Sequence, residues 1–320
     1  MKRKSILLVL CIGMVLTSCK NIKTLNDSDV KNEKSQKKTV MEIQDKGYDL
    51  PIDEKKKKEF IQKVTGILYK YGDIESTPML DKRIQDIYNE YYEEETDYVA
   101  LKHKYNQYML EREGEIKEHL KEAKNIKDYI KYVCVGNYID FGVTGNIDDQ
   151  MLDDLLKKVD SLNIPEQEIK YLEEELKQAK TLLYITDNCG EIVLDKIFIE
   201  ELKKRYGNLE ITVMVRGGLA INDATIEDAQ EIGLTKIVPV ISNGAAIAGT
   251  VKEQLSKEAR KQLDSADVII AKGMGNFESM YQEGINPYYL FLCKCDLFTR
   301  RFGVKLFDPI FCKEERLDIK

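Results

Sequence analysis

The part of the chain after residue 180 alternates short apolar runs with amphipathic segments, and this alternation constrains the fold more than any other feature of the sequence. Four runs rich in aliphatic and β-branched residues are predicted to be strands: 181–186, 209–215, 236–241 and 267–271. The segments between them have the spacing of helices. Strands that alternate with helices form right-handed βαβ units and a parallel sheet. We therefore predict an α/β domain over residues 180–320.

Residues 56–179 have a different pattern, in which apolar side chains recur at helical spacing. Phe60, Ile61, Val64, Ile67 and Leu68 give the first example. The predicted helices of this domain cover 56–71, 78–91, 98–124, 126–140, 148–161 and 166–179. We therefore predict a helical domain that precedes the sheet.

The first nineteen residues have the pattern of an export signal. Lys2, Arg3 and Lys4 precede an apolar stretch at 6–16, which is shorter than the roughly 20 residues that a membrane-spanning helix needs. The sequence Leu-Thr-Ser before Cys19 is similar to a bacterial lipobox. We predict a lipoprotein signal peptide over 1–19, lipidation of Cys19 and a membrane-anchored protein on the extracytoplasmic face. The alternatives are a cytoplasmic protein with a chance apolar start, or a wrongly assigned start site.

Residues 20–55 are predicted to be a disordered tether, because they are rich in Asn, Asp, Ser, Lys and Gln and have no sustained apolar period. Residues 1–58 carry a formal charge of +6, whereas the remainder carries −13. An acidic body excludes sequence-independent nucleic-acid binding, which needs a basic surface.

Cysteine and histidine content excludes two further classes of site. The chain has seven cysteines, no C-x-x-C pair and two histidines, so neither a disulfide scaffold nor a His-rich zinc site is expected. On a strand, Cys293 and Cys295 would share one face, but we interpret them as small buried apolar residues.

Polar residues and glycines follow each predicted strand. Ligands of parallel sheets bind at the carboxyl ends of the strands. The residues at these ends are Asp187–Glu191, Arg216–Gly218, Asn222–Asp223, Ser242–Gly244, Gly249–Thr250, Lys272–Asn276 and Glu278. Carboxylate and amide oxygens suit a hard divalent cation, lysine pairs with phosphate, and glycines let backbone N–H groups approach an anion. Together they indicate metal-assisted phosphoryl chemistry.

Each of these features also has a structural interpretation. An Asp-Asn pair is commonly a turn or a helix N-cap, and Lys-Gly after a strand is commonly a solvated turn. The spacing from Gly273 to Gly275 is not G-x-G-x-x-G, and no P-loop motif occurs. Because four strand ends carry such residues together, we favour a functional site.

Four segments closely resemble one known family: GNYIDFG (136–142), TDNCGEIVLDK (186–196), VRGGLAINDATIEDA (215–229) and AKGMGNFES (271–279). The family is the metal-dependent damage-control phosphatases, formerly domain of unknown function 89, which share the ARMT-like metal-binding domain. The resemblance runs from about residue 56 to 316 and is closest to the stand-alone prokaryotic branch. It implies a helical N-terminal domain packed on a Rossmann-like, mostly parallel sheet. It also implies hydrolysis of small, often damaged phosphorylated metabolites, such as sugar phosphates, with Mn²⁺, Co²⁺, Ni²⁺ or Mg²⁺.

The resemblance assigns residues to roles. Asp187, Asn188 and Asp223 match the metal ligands, and Lys272 matches a phosphate-contacting lysine, so Asp187 and Lys272 are the catalytic candidates. The candidates for substrate-binding or supporting roles are Asn137, Asp140, Glu191, Arg216, Asn222, Gly249, Thr250, Asn276 and Glu278.

Two departures from the family pattern concern location and substrate. A signal-like leader stands where the prokaryotic branch often has a C-x-x-C segment, and the third loop, 242–246, is more apolar than in many relatives.

The preferred function is a metal-dependent phosphoric monoester hydrolase. The alternative is a surface-tethered protein that binds a phosphorylated ligand without turnover. A carboxyl methyltransferase, discussed for the wider family, is disfavoured because no glycine-rich nucleotide loop follows the first strand. The oligomeric state is left open.

Overall fold

The structure is a computed structural model that describes residues 53–91, 97–140 and 149–319. The predicted signal peptide, Cys19 and almost all of the predicted tether lie outside the described residues. The chain divides into two compact units between residues 96 and 97. None of the helices in the described ranges is both long and apolar enough to cross a bilayer.

The described part of the first unit consists of two helices, α1 (Glu54–Tyr71) and α2 (Thr77–Tyr91). Helix α1 begins where the Asp53 carboxylate accepts hydrogen bonds from two backbone N–H groups, and it ends at Gly72, as predicted. The two helices pack through an apolar cluster that includes Phe60, Val64 and Ile84.

The second unit contains the sheet and the remaining helices. Before the sheet come α3 (Tyr98–His119), α4 (Lys127–Gly136), α5 (Asp149–Lys157) and α6 (Glu166–Gln178). The sheet contains β1 (Thr181–Ile185), β2 (Glu210–Val215), β3 (Val240–Ser242), β4 (Val268–Lys272), β5 (Tyr288–Leu292) and β6 (Pro309–Lys313). The helices between the strands are α7 (Glu191–Arg205), α8 (Ile226–Glu231), α9 (Lys257–Ser265), α10 (Gly273–Met280) and α11 (Asp296–Phe302).

The strand order is β3-β2-β1-β4-β5-β6, and all neighbours are parallel except β5 and β6. Alternate residues of β1 enter two separate cores, with Leu182 and Tyr184 on one face and Leu183 and Ile185 on the other. The first core contains α3–α8 residues, and the second contains residues of α9–α11. The result is a three-layer α/β arrangement, which confirms the predicted fold class.

Several predicted boundaries differ from the structure. The third strand was predicted at 236–241 but begins at Val240, directly after Pro239, whose nitrogen has no proton to donate to a neighbouring strand. Residues 137–140, predicted as helix, form the turn that follows α4. The sequence analysis did not predict β5 or β6, and Cys293 and Cys295 lie just after β5 rather than on a strand. The second unit contains both α3–α6 and the sheet. The predicted domain boundary between residues 179 and 180 stays a prediction.

Candidate functional site

The loops after β1 and β2 are joined by backbone hydrogen bonds, and this brings their polar side chains together. The N–H of Ala224 donates to the carbonyl of Asp187 at 2.7 Å, and the N–H of Arg216 donates to the carbonyl of Ala224 at 2.9 Å. Asn188 and Asp223 form an isolated antiparallel bridge. Asp187 and Asn188 therefore lie beside Asp223 at one point on the sheet edge, although more than thirty residues separate them from Asp223 in sequence.

We call Asp187, Asn188, Arg216 and Asp223 the metal-site cluster. All four side chains are buried. Asp187 Oδ2 accepts hydrogen bonds from Asn188 Nδ2 at 2.7 Å and from Asn137 Nδ2 at 2.9 Å. Within the described part of the chain, no hydrogen bond reaches Asp187 Oδ1 or Asp223 Oδ1. Each carboxylate therefore has one oxygen that remains available to a ligand.

Asn222 and Asn137, which are not members of the metal-site cluster, orient its side chains. Asn222 Nδ2 donates to Asn188 Oδ1 at 3.0 Å and to the carbonyl of Ile139 at 3.1 Å. Asn137, at the end of α4, accepts from the N–H of Leu292 at 3.0 Å while its amide donates to Asp187. The turn after α4 is therefore fixed to the site by side-chain hydrogen bonds.

Arg216 lies at the centre of the metal-site cluster. Its Nε donates to Asp223 Oδ2 at 2.6 Å, and its Nη1 donates to Asn276 Oδ1 at 3.0 Å and Thr250 Oγ1 at 3.2 Å. Its Nη2 lies 3.6 Å from Asp187 Oδ1, which is longer than a hydrogen bond. The guanidinium thus connects Asp223, which follows β2, with Thr250, which follows β3, and with Asn276 of α10.

A second buried group, which we call the lysine cluster, contains Tyr184, Glu191, Asp195 and Lys272. Lys272 is fully buried, and its Nζ donates to Glu191 and, at 2.8 Å, to Asp195 Oδ1. Tyr184 donates to the same Asp195 oxygen at 2.6 Å. Glu191 also accepts from the amides of Asn137 and Asn188, so the two clusters share hydrogen bonds. The predicted contact of Lys272 with phosphate stays a prediction.

Two glycines after β4 accommodate neighbouring groups. Gly273 has a φ of +80°, and a Cβ there would lie 2.0 Å from Asp187 Oδ2. A Cβ on Gly275 would lie 2.1 Å from the carbonyl oxygen of Ala248. A side chain at Gly273 would therefore displace Asp187, and a side chain at Gly275 would displace the backbone at Ala248. The expectation that glycines leave backbone N–H groups open to an anion stays a prediction.

The remaining predicted site residues do not all lie at the two clusters. Asp140 pairs with the buried Lys294 at 2.6 Å, and the Thr250 hydroxyl donates to Asn276 at 2.8 Å. Gly249 follows Ala248 in the segment against Gly275. Glu278 lies on α10 near Cys295 and Arg301, whose pKa values it influences. Most of the predicted residues therefore belong to one connected region, and Glu278 faces a different group of residues.

The electrostatics of the region favour a bound cation. Burial raises the pKa of Asp187 well above its ordinary value, and the carboxylates of Asp223 and Glu191 raise it further. Burial also raises the pKa of Asp223 to about 6, against the effect of Arg216. Asp140, Asp187, Glu191, Asp195 and Asp223 outnumber Arg216, Lys272 and Lys294, so the ionised region carries a formal charge of −2. A divalent cation would neutralise this charge.

The donor set itself fits such an ion. No group of three or more His, Cys, Asp or Glu side chains in residues 53–91, 97–140 and 149–319 is arranged to hold a metal. The metal-site cluster instead offers two carboxylates and one amide oxygen. Oxygen donors of this kind suit hard divalent cations, which usually retain several waters.

The sequence analysis did not identify Tyr184, Asp195 or Lys294. Asp195 lies four residues after Glu191 on an otherwise apolar helix face, and this spacing places both carboxylates on one side of α7. That pattern could have revealed the two carboxylates of the lysine cluster, although not their pairing with Lys272. Lys294 follows β5, so it could be found only after that strand was recognised.

The fold and the site define a class of protein: an α/β protein with an oxygen-rich candidate cation site at the carboxyl ends of a parallel sheet. The family model for the damage-control phosphatase ARMT1-like domain matches residues 11–310. The chain therefore belongs to that family, as the sequence resemblance indicated. The family is metal-dependent, and membership supports a phosphatase role on damaged metabolites. It does not favour the alternative of binding without turnover.

Individual relatives agree with this assignment. An uncharacterized protein of Methanocaldococcus jannaschii is 34% identical over 225 residues, which cover 68% of this chain and 73% of that protein. A damage-control phosphatase of Pyrococcus horikoshii is 39% identical over 180 residues, and one of Archaeoglobus fulgidus is 38% identical over 182 residues. These two matches cover 55% of this chain and 60% and 61% of the phosphatases.

A solved structure supports the fold over a longer range. The crystal structure of a DUF89 family protein from Pyrococcus horikoshii matches with a TM-score of 0.68 at 26% sequence identity. This match covers 87% of the present chain and 97% of the other.

Proposed function

We propose that the protein is a metal-dependent phosphatase that hydrolyses the phosphoric monoester of a small metabolite. The observation that carries this proposal is the convergence of Asp187, Asn188 and Asp223, whose two carboxylates each retain an oxygen without a hydrogen bond. The likeness to proteins named damage-control phosphatases supports the same reaction class.

Asp187, Asn188 and Asp223 would hold Mn²⁺, Co²⁺, Ni²⁺ or Mg²⁺. When bound, such an ion acts as a Lewis acid that draws negative charge from a phosphoryl oxygen. The amides of Asn137 and Asn222 fix the orientation of Asp187 and Asn188 before a ligand arrives. Such preorganisation lowers the energy that the site must spend on rearrangement during the reaction.

Lys272 would contribute positive charge next to the metal-site cluster. The carboxylates of Asp195 and Glu191 raise its pKa, although burial opposes this, so the amine stays protonated at neutral pH. Asp140, Glu191, Arg216, Asn222, Gly249, Thr250, Asn276 and Glu278 remain candidates for binding or orienting the substrate. The apolar third loop, 242–246, would contact the part of the metabolite that is not phosphate.

We further propose that the leader directs export and that lipidated Cys19 anchors the enzyme to the membrane. The charged start, the short apolar stretch and the lipobox-like sequence support this location. Labelled palmitate should enter the wild type but not Cys19→Ala. A soluble cytosolic product that retains Met1 would contradict the proposal.

A phosphate-release screen tests the proposed reaction. Purified protein is stripped of metal, supplied in turn with Mn²⁺, Co²⁺, Ni²⁺ or Mg²⁺, and offered a panel of sugar phosphates and other phosphomonoesters. We expect release that needs metal and that is lost in Asp187→Asn. Release that is equal in Asp187→Asn would place the activity elsewhere or in a contaminant. An absence of release in all metals, despite saturable binding of a phosphomonoester, would favour a binding protein.

A further inference from the structure

Arg216 has one donor group for which the described residues provide no acceptor. Its side chain is among the most buried in the described residues, with 2% of its surface exposed. Nε and Nη1 are hydrogen-bonded to Asp223, Thr250 and Asn276, whereas the buried Nη2 has no hydrogen-bond partner in the described part of the chain. Leaving a charged donor unpaired in a protein interior is costly, so the geometry indicates a ligand at this position.

Nη2 lies beside Asp187 within the metal-site cluster. Asp187 Oδ1 lies 3.6 Å from Nη2, and that oxygen also accepts no hydrogen bond from the described residues. The unpaired donor and the unpaired acceptor therefore lie next to each other. A group placed there would have to offer a negatively charged oxygen to Arg216 and stand close to the candidate metal ligands.

The other two buried cations of the region already have carboxylate partners. Lys272 binds Glu191 and Asp195, and Lys294 binds Asp140. Arg216 differs from both because one of its nitrogens has no partner while the rest of the guanidinium is held in place. A planar guanidinium fixed in this way presents N–H groups in a defined direction, which a lysine could not reproduce.

We propose that Arg216 Nη2 donates a hydrogen bond to a non-bridging phosphoryl oxygen of the substrate. This inference rests on the proposed function and deepens it by naming the group that recognises the phosphate. Because Nε of the same guanidinium holds Asp223, one side chain would connect a candidate metal ligand with the phosphate. Esters whose acid part carries no anionic oxygen should therefore be poor ligands.

The test compares phosphate affinity with metal affinity in Arg216→Lys. Inorganic phosphate and Mn²⁺ are titrated separately into the full-length protein, by calorimetry, and phosphate is titrated both with and without Mn²⁺. Losing a charged hydrogen bond should weaken phosphate binding about 10- to 150-fold. We expect the dissociation constant for Mn²⁺ to change by much less, because the lysine retains the positive charge beside Asp223.

Arg316→Lys is the matched control. Arg316 makes a two-point ion pair with Glu168, at 2.8 Å and 2.9 Å, and belongs to neither buried cluster. This variant should leave phosphate affinity unchanged. Unchanged phosphate affinity in Arg216→Lys, or an equal loss of Mn²⁺ and phosphate affinity, would overturn the proposal and leave Arg216 as a support for Asp223.

A second measurement does not depend on a variant that folds. In a crystal of the wild type grown with Mn²⁺ and phosphate, we expect a phosphate oxygen within hydrogen-bond distance of Arg216 Nη2. Phosphate bound at the metal while Nη2 pairs with water or with Asp187 would overturn the proposal. Failure of the proposed function is distinct, because it would appear as an absence of turnover in the wild type.

Discussion

The two buried clusters at the carboxyl ends of β1 and β4 differ in how completely their polar atoms are paired. In the lysine cluster, the ammonium of Lys272 binds two carboxylates, and Tyr184 donates to one of them. Asp195 Oδ2 is the one side-chain atom of this cluster that is buried without a partner in the described residues. In the metal-site cluster, a guanidinium nitrogen and one oxygen of each carboxylate have no hydrogen bond to any residue that the structure describes.

This difference indicates which of the two clusters supports the site and which one can bind a ligand. A buried ion pair with most hydrogen bonds made is costly to break and offers few free atoms to a ligand. A buried group with unpaired donors and acceptors gains more from a bound ligand, since the ligand supplies the missing partners. We therefore propose that the lysine cluster positions the site and that the metal-site cluster binds the reactants.

The largest expected effect is loss of stability in Lys272→Met. This change leaves Glu191 and Asp195 buried without their cation, and breaking a buried pair in this way costs about 3–5 kcal/mol. Chemical denaturation of the metal-free protein measures it. Lys117→Met is the control, because Lys117 also pairs with two glutamates but is 40% exposed, and exposed pairs contribute about 1 kcal/mol or less. Equal losses in the two variants would contradict the distinction between the clusters.

Asp223→Asn should affect turnover rather than folding. The amide has almost the same volume as the carboxylate but removes one negative charge from the candidate metal ligands. We expect metal-dependent phosphate release to fall on the order of 100-fold or more. The variant should still fold, because its amide oxygen can accept the hydrogen bond from Arg216 Nε, but its melting temperature should fall because the buried ion pair loses its negative charge. Full activity with unchanged metal affinity would show that Asp223 only supports the loop after β2.

Tyr184→Phe should have a smaller effect, confined to stability. The variant removes the 2.6 Å hydrogen bond to Asp195 Oδ1 but leaves the bond from Lys272 to the same oxygen. A hydrogen bond to a charged group contributes about 1.5–3 kcal/mol. Denaturation and steady-state kinetics on the same sample separate the two readouts. A fall in kcat larger than the fall in stability would assign the lysine cluster a direct part in the chemistry.

The smallest effect is expected at Asp267, an exposed carboxylate that lies outside both clusters. Backbone N–H groups of Lys180 and Thr181 donate to it and lower its pKa below 3.8. Because the folded protein favours the ionised form, this stabilisation is present above pH 3.8 and is lost as the pH falls through the lower folded value. Asp267→Asn should slightly lower the melting temperature at pH 7 and leave phosphate release unchanged. A difference that persists well below pH 3.8 would show that charge is not its cause.

Much of this arrangement could be predicted from the sequence, because periodicity and strand-end residues are local signals. The end of α1 before Gly72, the strands β1–β4 and the cluster of Asp187, Asn188 and Asp223 all follow from short segments. The sheet edge then brings distant loops together by a general rule of parallel sheets.

The pairing of polar atoms could not be predicted in the same way. Nothing local in the sequence shows that Lys272 binds Glu191 and Asp195 or that Arg216 has an unpaired nitrogen, since these contacts depend on how α7, α10 and the third loop pack on the sheet. Strand β6 was missed because its antiparallel pairing with β5 breaks the alternation on which the prediction relied. The difference between the two clusters is therefore a property of the tertiary structure.

A titration of Mn²⁺ into two metal-free variants tests the central claim most directly. Asp187→Asn and Asp195→Asn make the same chemical change at two buried carboxylates, one in each cluster. We predict that the wild type and Asp195→Asn bind Mn²⁺ at one site with similar affinity, and that Asp187→Asn loses most of this binding although it remains folded. Retention of binding in Asp187→Asn and its loss in Asp195→Asn would contradict the account, because the metal would then belong to the lysine cluster.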